Sequence, residues 1–157
     1  MPQQRRKNDD TPPQAINHID HVGIIVYPEN VGKYVRLLSN VLDITFDEPI
    51  VNDHLGLIAV LSWGSGFEIM APIRREGPHW GKLQRFGEGT CTIIFGVGDI
   101  DAAIEHAKAN GAELAWEVKL GGDEPWLRRF KKFREARLKA FDDDFACTLT
   151  VSQIEPA

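Results

Sequence analysis

The chain lacks several things that would point to particular kinds of protein. Only two of its 157 residues are cysteines, Cys91 and Cys147. Both sit in apolar, strand-like runs, so no disulfide framework is available and a reduced, cytoplasmic setting is expected. No run of about 18 apolar residues occurs, so a membrane-spanning helix, and with it a membrane partner, is not expected. The opening "MPQQRRKNDDTPPQ" has no apolar stretch of the secretory kind. It is charged and carries adjacent prolines, which predicts a disordered tail over residues 1–14. Excess positive charge is absent as well: the net charge is -5, which argues against nucleic acid as a partner. What remains is a chain of 43% apolar content, enough for the core of one domain of ordinary size, over residues 15–157.

That domain is built from a repeat. "DHVGIIVYPENVGKYVRLLSNVLDITF" begins at Asp20 and "CTIIFGVGDIDAAIEHAKANGAELAW" begins at Cys91. Each opens as a strand, with His21 matching Thr92, Ile24 matching Phe95 and Val26 matching Val97. Each turns through a polar loop and continues as an amphipathic helix. Val31, Tyr34, Val35 and Leu38 are spaced i, i+3, i+4, i+7, and Ile100, Ala103, Ile104 and Ala107 repeat that spacing. Asp99 suits the N-cap of the second helix and Asn110-Gly111 its left-handed end. The period then changes to two. "ITFDEPIV", "LGLIAVLSW" and "GFEIMAPI" read as strands, the last two joined across "GSG". "ELAWEVKL" and "FACTLTVSQI" read as strands of the second half. The pattern predicts an α+β fold of two β-α-β-β-β modules, the first over about 16–75, a linker over 76–88 and the second over about 89–155.

One stretch breaks the pattern. In "EPWLRRFKKFREARLKAFDDD", Leu127, Phe130, Phe133 and Leu138 lie nearer helical spacing than alternation. With Asp123 as N-cap and Pro125 in the first turn, a helix over about 124–138 is predicted, with a bent strand as the alternative. Its cations Arg128, Arg129, Lys131, Lys132, Arg134, Arg137 and Lys139 form either a solvated face balanced by Asp142, Asp143 and Asp144 or a holder for a carboxylate or phosphate.

"HIDHVGIIV", "FEIMAPI" and "GEGTCTIIFGVGDIDAAIEHAKANGAEL" together resemble the vicinal oxygen chelate superfamily, which includes glyoxalase I, methylmalonyl-CoA epimerase, extradiol dioxygenases and bleomycin-resistance proteins. The resemblance covers residues 16 to 155. It implies curved mixed sheets enclosing a cup, frequent homodimers, and a divalent metal held from four strand positions. Those positions fall on His21, Glu68, Thr92 and Thr150. Two of the four keep ligand chemistry, and two donors do not hold such a metal firmly. No cofactor is therefore expected; a divalent metal, if bound, would take His21 and Glu68. His54 and His79 would complete a shifted site or stand as loop histidines, and His106 is expected at the surface.

A second use of these residues needs no metal. Glu68 and Met70 share one face of their strand, Phe67 and Ile69 the other. If the Glu68 face is the interior, its pKa rises toward that of a general base, with His21 as its partner. Trp63, Trp80 and Trp116 would wall the cavity. Substrate contacts are expected from Trp63, Thr92, Trp116, Arg128, Arg134 and Thr150. The resulting expectation is an isomerase or lyase removing a proton next to the carbonyl of a small oxygenated or CoA-ester-like substrate. The alternatives are a metal-free sequestering protein of the bleomycin-resistance type and a dioxygenase, which the threonine at position 92 disfavours.

Overall fold

A computed structural model describes residues 18–118, 125–139 and 147–157. The expected tail over residues 1–14, the Asp123 cap and the acidic run at 142–144 lie outside the described residues. In chain order the elements are β1 (His18–Ile25), α1 (Val31–Leu42), β2 (Ile50–Asn52), β3 (Leu57–Ser62), β4 (Phe67–Pro72), α2 (Gly77–Phe86), β5 (Gly89–Gly96), α3 (Ile100–Ala109), β6 (Glu113–Glu117), β7 (Phe130–Lys139) and β8 (Thr148–Pro156). The strands form one sheet in the order β2-β3-β4-β1-β5-β8-β7-β6. The β-α-β-β-β order therefore occurs twice, and the halves join where β1 and β5 run antiparallel.

The pairing register shows the internal symmetry. His21 lies opposite Ile94, and Gly23 opposite Thr92. Exchanging His21 with Thr92 and Gly23 with Ile94 turns one pair into the other. Gly23 in turn faces Glu68 on the parallel strand β4, as Ile94 faces Thr150 on β8. Glu68 and Thr150 thus occupy equivalent places in the two modules.

The helices form where the periodicity predicts. On α1, Val31, Tyr34, Val35 and Leu38 pack against Val26, Val60, Ile69 and Ala71. On α3, Ile100, Ala103 and Ile104 are buried with Val97, Ala136 and Val151. The Asp99 carboxylate accepts the Ala102 N–H at 3.0 Å, and Gly111 takes a φ of 87°, so both helix ends have the expected caps. These helices cover the convex face. A third cluster, Ile25, Leu57, Met70, Leu83 and Cys91, lies beneath α2. Residues 77–86 of the stretch assigned to a linker thus form this helix, held by the fully buried Leu83.

Two expectations need correction. The strand assigned to "ITFDEPIV" shrinks to Ile50–Asn52. The helix assigned to 124–138 is instead a short 3-10 turn, Pro125–Arg129, followed by the ten-residue strand β7. The misleading spacing has a cause. The β7–β8 register slips between Phe130 and Lys132. Such a bulge adds a residue to one strand and re-aims those before it. It brings Phe130 against Phe133, with ring centroids 5.8 Å apart, so an i, i+3 pair arises in a strand.

The sheet is strongly curled. Asp47, whose N–H donates to Leu61 of β3, also receives Arg129 Nη1 at 2.8 Å. Arg129 leads into β7, five strand positions away, a span of about 24 Å in a flat sheet. The concave side encloses a cavity of 760 Å³, within the range typical of small-molecule sites.

Candidate functional site

The floor of the cup is β1. Neighbouring residues of a strand normally point to opposite faces, yet Asp20 and His21 are hydrogen-bonded, Nδ1 donating to Asp20 Oδ2 at 2.8 Å. The β1–β5 register slips between Ile19 and His21, and this irregularity lets the Asp20 carboxylate reach the ring. His18 Nε2 stands 3.6 Å from the other Asp20 oxygen. The other ring nitrogen of His21, Nε2, faces two carboxylates, Glu68 Oε2 at 3.8 Å and Glu135 Oε1 at 3.7 Å. His21 is 6% exposed, and the two glutamate side chains are 15% and 12% exposed.

Burial and proximity set the charges of this group. Burial raises the Glu68 carboxyl above its ordinary range, opposed by the charge of His21. Burial pushes Glu135 up to about 7; His21 opposes this, and Glu68 and Asp20 add to it. Burial disfavours the His21 imidazolium, but the Asp20 hydrogen bond and the charges of Glu135, Glu68 and Asp20 outweigh it and raise His21 to about 9. The His21 hydrogen bond holds Asp20 below the usual carboxylate range. His21 is therefore an imidazolium near neutral pH, and Glu135 is poised between its two forms.

Around this group the cup alternates as strands do. Gly23 leaves no room for a side chain: a Cβ there would sit 2.6 Å from Met70 Cε and 2.7 Å from Thr92 Cγ2. Thr92 and Thr150 lie side by side with their hydroxyls 3.2 Å apart. Phe133, Glu135 and Arg137 line the cavity from β7, and Trp116 from β6. Helix α2 adds His79, Lys82 and Arg85. His79 is thus a helical residue at the cavity, held below its usual pKa by burial and by the charges of Lys82 and Arg137. His54 is exposed and stands at the cavity margin, and His106 is exposed on α3.

The cup therefore brings together His21, Glu68, Thr92, Thr150 and Trp116. Other expected residues lie elsewhere. Trp63 borders a second hollow of 190 Å³, which also touches Asp20 and His21, and its ring packs 4.7 Å from Phe130. Trp80 packs edge-on against Tyr27. Arg134 is on the outer side of β7, donating to Asp101 and Glu117 at 3.0 Å, and the exposed Arg128 does not line the cup. Glu135 is the residue that sequence reasoning missed. The signal was the alternation Phe133, Glu135, Arg137, visible once that stretch is read as a strand.

No family model matches the chain, and no curated protein matches it. Solved structures do. A methylmalonyl-CoA epimerase from Mycobacterium tuberculosis superposes with a TM-score of 0.68 at 19% identity, over 95% of this chain and 94% of that one. A Streptomyces coelicolor methylmalonyl-CoA epimerase in complex with 2-nitronate-propionyl-CoA gives 0.69 at 19% identity, over 88% and 97%. A hypothetical protein from Bacillus halodurans C-125 gives 0.68 at 18% identity, over 88% and 95%. This chain has the vicinal oxygen chelate fold. Its donors do not match the metal set that the fold implies. The two threonine hydroxyls at the third and fourth positions are neutral and hydrogen-bonded to each other. Among the described residues no group of three or more His, Cys, Asp and Glu is arranged to hold a metal ion. In this version of the vicinal oxygen chelate fold, a second carboxylate from β7 stands beside the β1 histidine.

Proposed function

We propose that the cup catalyses proton transfer at a carbon next to a carbonyl, in the manner of an epimerase, on a CoA-ester-like substrate. The observation that carries this reading is the pair of largely buried carboxylates, Glu68 and Glu135, that face one cavity and the same nitrogen of His21. Removing and returning a proton at one carbon from opposite sides takes one carboxylate and one carboxylic acid. Burial raises both carboxyl groups, Glu135 to about 7, so Glu135 can hold the proton or give it up near neutral pH beside Glu68 and the imidazolium. The enolate formed in between needs positive charge in a cavity that excludes water. Lys82 and Arg137 line the cavity and provide it. Thr92 and Thr150 offer hydroxyls and Trp116 an apolar wall for the substrate. The neighbours named for methylmalonyl-CoA epimerase support a thioester as the substrate class.

A homodimer belongs to the same reading. Leu37, Val41 and Leu42 are exposed on α1 and offer an apolar face for a second copy. Among the described residues no helix is long and apolar enough to cross a membrane; a cytoplasmic site of action remains part of the proposal.

The test is exchange in deuterated water. Methylmalonyl-CoA incubated with the protein should gain deuterium at C2 and lose its optical purity. Glu68→Gln should slow this by about 100-fold or more while still binding the thioester. Undiminished exchange in Glu68→Gln would remove Glu68 from its role. Binding by the wild type with neither exchange nor loss of optical purity would favour the sequestering alternative, to which the hydrogen-bonded threonine pair is suited.

A further inference from the structure

A two-carboxylate site has a problem after each turnover. The carboxylate that took the proton is now an acid, and the acid that gave one is now a carboxylate. The enzyme is left ready only for the reverse reaction until a proton crosses from one group to the other. Three features of this cup bear on that step. His21 Nε2 is nearly equidistant from the two groups, 3.8 Å from Glu68 and 3.7 Å from Glu135. Both distances exceed a hydrogen bond, so neither carboxylate captures the nitrogen, and a small torsion of either side chain closes the gap. The facing oxygen of Glu135 is buried and has no hydrogen-bond partner, an exception that calls for a reason. The other ring nitrogen is already engaged, with Nδ1–H held by Asp20 at 2.8 Å.

We infer that His21 is the relay that resets the pair, passing one proton between Glu68 and Glu135 through Nε2, and that Asp20 is a positioning residue for it. This rests on the reading above. The step balances within the site. The imidazolium gives its Nε2 proton to whichever carboxylate is bare. The neutral Nε2 then takes the proton of the protonated carboxyl group. The imidazolium is restored, one O–H bond has formed and one has broken, and no net proton is drawn from solvent, with which the mobile proton still exchanges between turnovers. Asp20 keeps Nδ1–H in place throughout, so Nε2 alone exchanges. The role also accounts for the "HIDH" opening of β1, where the strand irregularity at Asp20 lets its carboxylate hold the ring with Nε2 facing the two glutamates.

The experiment uses one enantiomer of methylmalonyl-CoA and the full chain. Wild type should epimerise it continuously, which establishes the underlying reading; wild type that never epimerises it would remove that reading, and this one with it. In His21→Gln, a rapid burst of about one product per site should precede a linear phase slowed about 100-fold or more, while the single-turnover rate falls less than about tenfold. Free imidazole at millimolar concentration should restore the linear phase without changing the burst. His21→Asn provides a second variant should His21→Gln fold poorly. If single-turnover and steady-state rates fall together in a folded variant, with no burst and no rescue by imidazole, the relay is wrong although the epimerase reading stands.

Discussion

Glu135 meets His21 from three strand positions away, its Oε1 3.7 Å from Nε2 although β5 and β8 lie between their strands. A flat sheet would separate those strands by about 14 Å. The contact exists because the sheet curls, and the curl also hides the carboxylate from water. Glu135→Gln should therefore separate function from stability. Activity should fall by about 100-fold. Stability should rise above neutral pH, because the buried carboxylate is what the wild type must carry there. Its pKa is raised to about 7 in the fold, so the stability linked to its protonation is present at low pH and lost as pH climbs through 7. A neutral glutamine removes that loss, worth about 1–3 kcal/mol at pH 8, or roughly 3–10 °C in melting temperature. Thermal melts of both proteins at pH 5 and pH 8 provide the check; equal shifts at the two pH values would contradict it.

His21 shifts in the same direction. Its folded pKa of about 9 lies above the ordinary 6.5, so its contribution is complete below pH 6.5 and disappears as pH rises to 9. Asp20→Asn removes the negative charge from Nδ1 while preserving the shape of its partner. The His21 pKa should then drop by about one unit or more, read from its imidazole resonances in an NMR titration. An unchanged midpoint near 9 would show that the glutamates alone hold the proton.

Much of the fold was legible in the sequence because its signals are local. Helical spacing at Val31, Tyr34, Val35 and Leu38 and capping at Asp99 each act within a few residues, and α1 and α3 stand where they predict. The alternation around Glu68 likewise placed its face correctly, since Glu68 and Met70 do line the cavity. What failed was β7. Its cavity face carries Phe133, Glu135 and Arg137, and its outer face carries Arg134, Ala136 and Leu138. Both faces mix polar with apolar groups because one lines a reactive cup and the other packs partly on α3. Hydrophobic alternation vanishes in such a strand, and the bulge near Phe130 imitates a helical step. Glu135 was hidden for the same reason that it is chemically useful.

Gly23 offers a test of how tightly the cup floor is packed. It sits between His21 and Ile25, and its missing Cβ would fall 2.6 Å from Met70 Cε, 2.7 Å from Thr92 Cγ2 and 3.3 Å from Glu68 Oε2. The Met70 methyl is the flexible end of a side chain and can retreat; the threonine methyl is stiffer. Gly23→Ala should cost about 1–3 kcal/mol by overpacking and push Glu68 out of line with His21. Chemical denaturation and C2 exchange measured on the same sample should both register it. A stable variant with full exchange would mean that the cup floor yields more readily than these contacts allow.

The two arginines of β7 on opposite faces separate the cup from the surface. Arg137 lines the cavity two residues from Glu135, whereas Arg134 points outward to the exposed Asp101 and the partly exposed Glu117. Exposed ion pairs contribute little because water screens them and the side chains lose freedom in forming them. Arg134→Gln should therefore cost less than about 1 kcal/mol and leave thioester affinity unchanged. Arg137→Gln removes positive charge from a cavity of low dielectric, where each charge acts strongly on an anionic ligand. It should weaken binding of methylmalonyl-CoA by about tenfold or more and slow C2 exchange further, because the enolate carries more negative charge than the ground state. Calorimetric titration gives the first quantity and deuterium incorporation the second. If Arg134→Gln lost affinity and Arg137→Gln kept it, the substrate would have to lie on the convex side of the sheet, away from both glutamates.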